Sequence, residues 1–203
     1  MSTQIILFRH GLRFTDTRLA DGPLTADGIN TVTLNARKLA NEIEFMGTLD
    51  VALVSSSIRC TQTFIIIWTA IHEQMKFIRE IDVSRNYYCT HDEEARWLKL
   101  YAKSAAKIRD DERVLGEKKA IMKHAGNLVG SSALRIIGGI SRAMAKDAKS
   151  ILVVTHSPHD TFIEEAFTGN PQPDCLKLGE YRTITPTQEP SIMELTEKWR
   201  EWR

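Results

Sequence analysis

Gln4-Ile5-Ile6-Leu7-Phe8-Arg9-His10-Gly11 is the stretch on which the fold turns. A short, β-rich apolar run that ends in charge and glycine reads as a buried strand rather than a helix. Its last residues then carry a guanidinium and an imidazole to the carboxyl edge of a sheet, where open α/β folds hold their ligands. Arginine offers a planar fork matched to phosphoryl oxygens, a neutral imidazole beside it can attack phosphorus, and Gly11 permits a sharp exit from the strand.

Working outward, further strand-like runs stand at Val51–Ser55, Phe77–Ile81 and Ile151–Thr155, separated by helical patterns. That alternation specifies a mostly parallel sheet covered by helices on both faces, an α/β protein built as a three-layer α/β/α sandwich. Thr25 is placed to cap a helix with Asp27 in its first turn. Ile29, Val32, Ala36, Leu39 and Ile43 recur at helical steps as its inward stripe. A second helix is expected from Arg59 to His72, a third from Ser131 to Lys146, and a fourth from Pro158 to Phe167, stopped by Gly169-Asn170-Pro171. Glu180–Thr185 reads as an edge strand and Met193–Trp202 as a terminal helix. Between Arg85 and Gly130 the alternation breaks into charged, helix-compatible sequence, read as a helical insertion at about 85–130 within a single domain spanning 1–203.

Across Arg96–Lys123 nine basic residues face four acidic ones, as either a cationic rim drawing in an anionic substrate or a solvated helix face. The chain as a whole is nearly neutral, with 27 Lys and Arg against 26 Asp and Glu. Net charge therefore gives no reason to expect nucleic acid or an anionic membrane as a partner. Cys60, Cys89 and Cys175 are scattered and odd in number, so neither a disulfide framework nor a zinc site is expected. With no apolar stretch near ~20 residues and no leader-like segment, a cytoplasmic protein is expected, of unspecified oligomeric state.

Three strand ends are each followed by residues suited to phosphate chemistry: Arg9-His10-Gly11, Ser55 through Thr63 with Arg59 at a helix start, and Thr155-His156-Ser157-Pro158-His159-Asp160. Together with Leu24-Thr25-Ala26-Asp27-Gly28 they reproduce, in order, the RHG, LTxxG, SxxxRxxQT and later-histidine motifs of one family. The chain resembles the histidine phosphatase superfamily, and the implied fold is phosphoglycerate mutase-like. The resemblance implies that His10 attacks the substrate phosphorus and becomes a phosphohistidine, while Arg9, Arg59 and His156 hold the phosphoryl oxygens. Prepositioned cations act there because charge accumulates on those oxygens in the transition state. No cofactor and no metal are implied.

Arg13 departs from the small hydroxyl residue of phosphoglycerate mutases, and Asp16 stands where their motif has Asn. Arg13 instead resembles the RHGxR of acid phosphatases, as a further phosphate ligand or an exposed arginine. The proton donor stays open. Asp160 copies the His-Asp pair of acid phosphatases but stands a helical turn beyond His156, the mutase branch points to Glu80 or Asp82, and small phosphohistidine phosphatases manage without a carboxylic acid. The expected activity is a phosphatase acting on a small phosphomonoester or on protein phosphohistidine, so that the partner is a small phosphorylated substrate or a phosphoprotein. The rivals are a phosphoglycerate mutase-type phosphotransferase, a phosphate or phosphopeptide receptor with little turnover, and a metal hydrolase liganded by His10, His156, His159 and Asp160.

Overall fold

In strand β1 (Gln4–Arg9) successive side chains enter opposite cores. Ile5 and Leu7 join one apolar cluster, and Ile6 and Phe8 the other. The same split separates Val51 and Leu53 from Ala52 and Val54 in β2 (Leu49–Ser55). It also separates Ile151 and Val153 from Leu152 and Val154 in β4 (Ser150–Thr155). A pleated strand turns alternate residues to opposite faces, so a sheet covered on both faces demands unbroken apolar runs rather than alternation. That demand is why these three strands were legible as continuous hydrophobic stretches.

The computed structural model describes residues 2–14, 21–46, 49–72, 78–84, 96, 99, 106–170 and 174–200. Among the described residues five strands form one sheet, in the order β3 (Ile78–Ser84), β2, β4, β1, β5 (Tyr181–Ile184). The first four run parallel, and β5 (Tyr181–Ile184) closes one edge antiparallel to β1, within the predicted edge strand. Helices α1 (Ala26–Met46) and α2 (Ile58–His72) cover one face, through Val32, Ala36, Leu39 and Ile43 of the first and Phe64, Ile67 and Ile71 of the second. On the other face lie α4 (Glu117–Ala145), α5 (His159–Thr168) and α6 (Ile192–Arg200). Each fully buried Leu or Ile in these layers contributes about 1.5–3 kcal/mol, so the stripes rather than helix propensity hold the helices in place. Among the described residues no helix is long and apolar enough to cross a membrane.

Three sequence expectations are corrected. Ile29, placed on the inward stripe of α1, is 43% exposed: it lies in the first turn of that helix, and Val32 is the first residue of the stripe to enter the core. The helix expected from Ser131 begins at Glu117, so the last part of the 85–130 segment is continuous with α4. A break in helical geometry at Ala125 (φ −143°) marks where it bends. A further helix, α3, covers 106–115, and Gly116, with φ of 81°, turns the chain between α3 and α4. Strand β3 (Ile78–Ser84) runs three residues past the expected Ile81. Apart from Arg96 and Lys99, the remainder of the 85–130 insertion lies outside the described residues, as do Phe77 and Asp16.

Candidate active site

Strand order decides which loops meet. Because β2, β4 and β1 are neighbours, the segments leaving their carboxyl ends share one edge of the sheet. In the β1–β4 register Arg9 stands opposite Thr155, so the next residues, His10 and His156, emerge side by side with ring centroids 5.1 Å apart. The His10 amide donates to the Thr155 carbonyl at 3.2 Å, which continues the ladder by one step. Arg59, in the first turn of α2, enters from the third strand end and is buried.

The arginine lies between the two rings. Its Nε donates to His10 Nε2 at 3.2 Å and its Nη2 to His156 Nδ1 at 3.1 Å. On the far side of the His10 ring, Nδ1 is 2.8 Å from the Gly11 carbonyl, an acceptor, so the proton resides on Nδ1 and Nε2 carries the lone pair. Burial, with the field of Arg59 added, lowers the His10 pKa from 6.5 to about 3, so the ring is neutral across the physiological range. A buried neutral imidazole with its lone pair directed at a guanidinium has the form required of a nucleophile beside an anion site. A guanidinium bonded to both rings also occupies the position a metal shared by His10 and His156 would need.

His156 is likewise held neutral, its pKa lowered well below 6.5 by burial and by Arg59. Its Nε2 is 2.8 Å from Ser55 Oγ and 3.4 Å from Ser57 Oγ. The Cys60 sulfur lies 3.5 Å from the same nitrogen, but burial raises that thiol to about 11, which keeps it protonated.

Three of the motif positions act by holding the others. The Gly11 amide donates to Thr63 Oγ1 at 3.3 Å, and the Leu24 amide to Gln62 Oε1 at 2.8 Å. Thr63 is fully buried, so the Gln-Thr pair of α2 ties the loop after β1 to the entry of α1. Thr25 caps α1 as expected, accepting from the Gly28 amide at 3.0 Å. Gly11 and Gly28 answer each other: a Cβ on Gly11 would meet the Gly28 carbonyl at 2.8 Å, and one on Gly28 would meet the Leu12 carbonyl at 2.1 Å. The glycines serve backbone approach between loop and helix, which is a tighter constraint than the sharp exit expected of Gly11.

Arg9 leaves β1 in another direction. Its Nη1 and Nη2 take both oxygens of Glu117 at 3.0 and 2.9 Å, and Nη1 also donates to the Leu176 carbonyl at 2.6 Å. The backbone of Leu176 links it to Asp160, whose Oδ2 accepts from the Leu176 amide at 2.5 Å. Asp160 is buried in the first turn of α5, and burial raises its pKa to about 6 despite the pull of that hydrogen bond and of Arg9. Arg9 Nε, Thr155 Oγ1 and Asp160 Oδ1 are buried without a partner among the described residues. Polar atoms in that condition are rare, and a cluster of them marks a place built for a polar ligand or water. His159 faces away, its Nε2 on Ser132 Oγ at 2.5 Å.

The remaining sequence candidates divide. Arg13 forms a bridge with Leu24 at the rim, and its charge adds to the lowering of the His10 pKa. Glu80 and Asp82 are not brought to the pocket. They pair in register with Val51 and Leu53, four and two residues short of the strand end at Ser55, and Glu80 forms an exposed ion pair with Lys146. The longer course of β3 is the cause, because it moves the carboxyl end of that strand to Ser84. Two carboxylates went unnoticed in the sequence, Glu117 on Arg9 and Asp21 on Arg59, the latter at 2.8 Å. Nothing local signals either, since both are far in sequence from the arginine they meet.

No protein-family profile matches the chain, and no curated protein matches it. Solved structures do. The protein histidine phosphatase SixA, determined with tungstate, is 15% identical, with a TM-score of 0.55 over 95% of this chain and 99% of its own. The alpha-ribazole phosphatase of Shigella flexneri is 17% identical, with a TM-score of 0.58 over 94% of this chain and 97% of its own. Phosphoglycerate mutase from Bacillus anthracis is 15% identical, with a TM-score of 0.55 over 98% of each chain. The chain has the phosphoglycerate mutase-like fold that these structures share.

Proposed function

We propose that this protein is a phosphatase that hydrolyses a phosphomonoester or a protein phosphohistidine through a phosphohistidine formed on His10. The observation that carries the reading is the state of His10: a neutral ring, protonated on Nδ1 by its bond to the Gly11 carbonyl, with Nε2 directed at the guanidinium of Arg59. The likeness in fold to two phosphatases supports it.

In the first step the Nε2 lone pair forms the N–P bond as the bond to the leaving oxygen or nitrogen breaks. Arg59, Arg9, His156 and, at the rim, Arg13 hold the phosphoryl oxygens, where the charge of the transition state lies. Asp160 gives its proton to the departing atom, and its raised pKa keeps a protonated fraction available near neutrality. In the second step water attacks phosphorus, Asp160 takes the proton back, and His10 returns to its neutral form as inorganic phosphate leaves. The single domain spanning 1–203, with its insertion at about 85–130, would supply substrate selection from the insertion, whose Glu117 already touches Arg9.

The test is phosphoryl trapping with labelled p-nitrophenyl phosphate and chelator present, on the native protein and on His10→Ala. The expected result is base-stable, acid-labile label on the native protein, release of inorganic phosphate, and loss of both in the variant. Turnover that survives His10→Ala, or transfer of the label to 3-phosphoglycerate in preference to water, would overturn the assignment.

A further inference from the structure

Asp21 stands immediately before Gly22-Pro23-Leu24, on the approach to α1. Its carboxylate spans the two donors that an oxyanion entering this pocket would use. Oδ1 accepts from Arg59 Nη1 at 2.8 Å, and Oδ2 accepts from the backbone amide of Ile58, the first residue of α2, at 2.6 Å. Both contacts are short and charge-assisted, and one of them lies at a helix N-terminus, where the unsatisfied amides and the dipole favour negative charge. The guanidinium that holds Asp21 through Nη1 is the same one that touches His10 through Nε and His156 through Nη2. The aspartate is therefore one guanidinium nitrogen away from the nucleophile. Its side chain is 24% exposed, so a solvent path exists for its displacement.

Resting on the phosphatase reading above, we propose that Asp21 is a specificity-determining residue: an internal carboxylate that occupies a phosphoryl-oxygen position on Arg59 and the α2 amide, and that a substrate must displace. A phosphomonoester dianion brings two charges against the one of Asp21 and wins the exchange. A carboxylate or phosphodiester monoanion brings no more charge than the group already seated and does not. Asp21 thereby selects dianionic phosphoryl groups and lowers the apparent affinity for all anions, because binding free energy is reduced by the contacts given up in the exchange.

The experiment measures binding of inorganic phosphate by titration calorimetry at low ionic strength, on the native protein, Asp21→Asn and Asp21→Ser. Folding of each variant is verified by circular dichroism. KM and kcat for p-nitrophenyl phosphate and bis-p-nitrophenyl phosphate are measured alongside. The expected result is about tenfold tighter phosphate binding in both variants, a fall in KM for the monoester, and a larger proportional gain for the monoanionic diester. Unchanged or weaker phosphate binding in folded variants, with the native protein still binding, would overturn the proposal and leave the phosphate pocket standing. A loss of kcat for an alkyl phosphate, assayed beside p-nitrophenyl phosphate and not shared by it, would overturn it too, by making Asp21 a proton donor. Failure of the native protein and both variants to bind phosphate would remove the pocket reading itself, and this proposal with it.

Discussion

The two arginines of the candidate site are built differently. Arg59 sits in the first turn of a buried helix, bonds to both imidazoles, and takes its carboxylate partner, Asp21, from a loop at the pocket mouth. Arg9 ends a central strand, bonds to neither imidazole, and takes both oxygens of Glu117 from the helix that emerges from the insertion. In the proposed reaction the Arg59 side organises the reacting atoms. The Arg9 side bonds to the insertion and, through the Leu176 backbone, is linked to Asp160. On that proposal one half of the pocket serves the chemistry and the other joins it to the insertion.

Neutralising each arginine in turn is the strongest way to break this contrast. Arg59→Gln should lower kcat for p-nitrophenyl phosphate about 10³-fold, the upper end for loss of one transition-state donor, because it also releases both imidazoles. Arg9→Gln should cost about 10²-fold, the loss of a phosphoryl ligand alone. Steady-state kinetics of the two variants, with folding verified, decide it, and equal losses would erase the distinction.

The pH dependence sharpens it next. Asp160 ionises in the folded protein at about 6, so it can donate a proton below that value and not above it. With an alkyl phosphate, whose leaving group needs that proton, the rate should fall about tenfold per pH unit above about 6. With p-nitrophenyl phosphate that limb should flatten. On the acid side, the His10 pKa of about 3 means that the neutral nucleophile persists far below the usual 6.5, and neither profile should drop between pH 6 and 4 on its account. Coincident profiles for the two substrates would remove Asp160 as donor.

The smallest effect concerns the link to the insertion. The charge of Glu117 helps raise the Asp160 pKa, so Glu117→Gln should move the alkaline limb for the alkyl phosphate to lower pH, by about half a unit or less. The Arg59 half should not register the change, and phosphohistidine trapping with p-nitrophenyl phosphate should stay within a few-fold of native. A displaced acid limb, or a collapse of trapping, would mean that the two halves are not separable.

Much of this was legible before any coordinates. The apolar runs of β1, β2 and β4 declared a sheet buried on both faces, and glycine, threonine and arginine at their ends declared an edge suited to anions. The reading failed where distance along the chain was large or where the pattern was weak. Strand β3 lies at the sheet's edge, and Ile81 and Val83 are exposed there, so its end was misjudged and Glu80 and Asp82 were put within reach of the pocket. The start of α4 was hidden because Glu117-Lys118-Lys119 is charged, though Lys118 is buried against Glu165 and over the Phe162 ring.

By itself the sequence determined the layers, the order of the elements and the residue types at three strand ends, because hydrophobic period and local turn chemistry are short-range properties. Tertiary structure alone decided that Arg59 stands between His10 and His156, that Asp160 is linked to Arg9 through the backbone of Leu176, and that Asp21 and Glu117 answer the two arginines. Those pairings span between 16 and 167 positions and are set by strand order and register, which place residues together with no trace of the contact in the chain around either one.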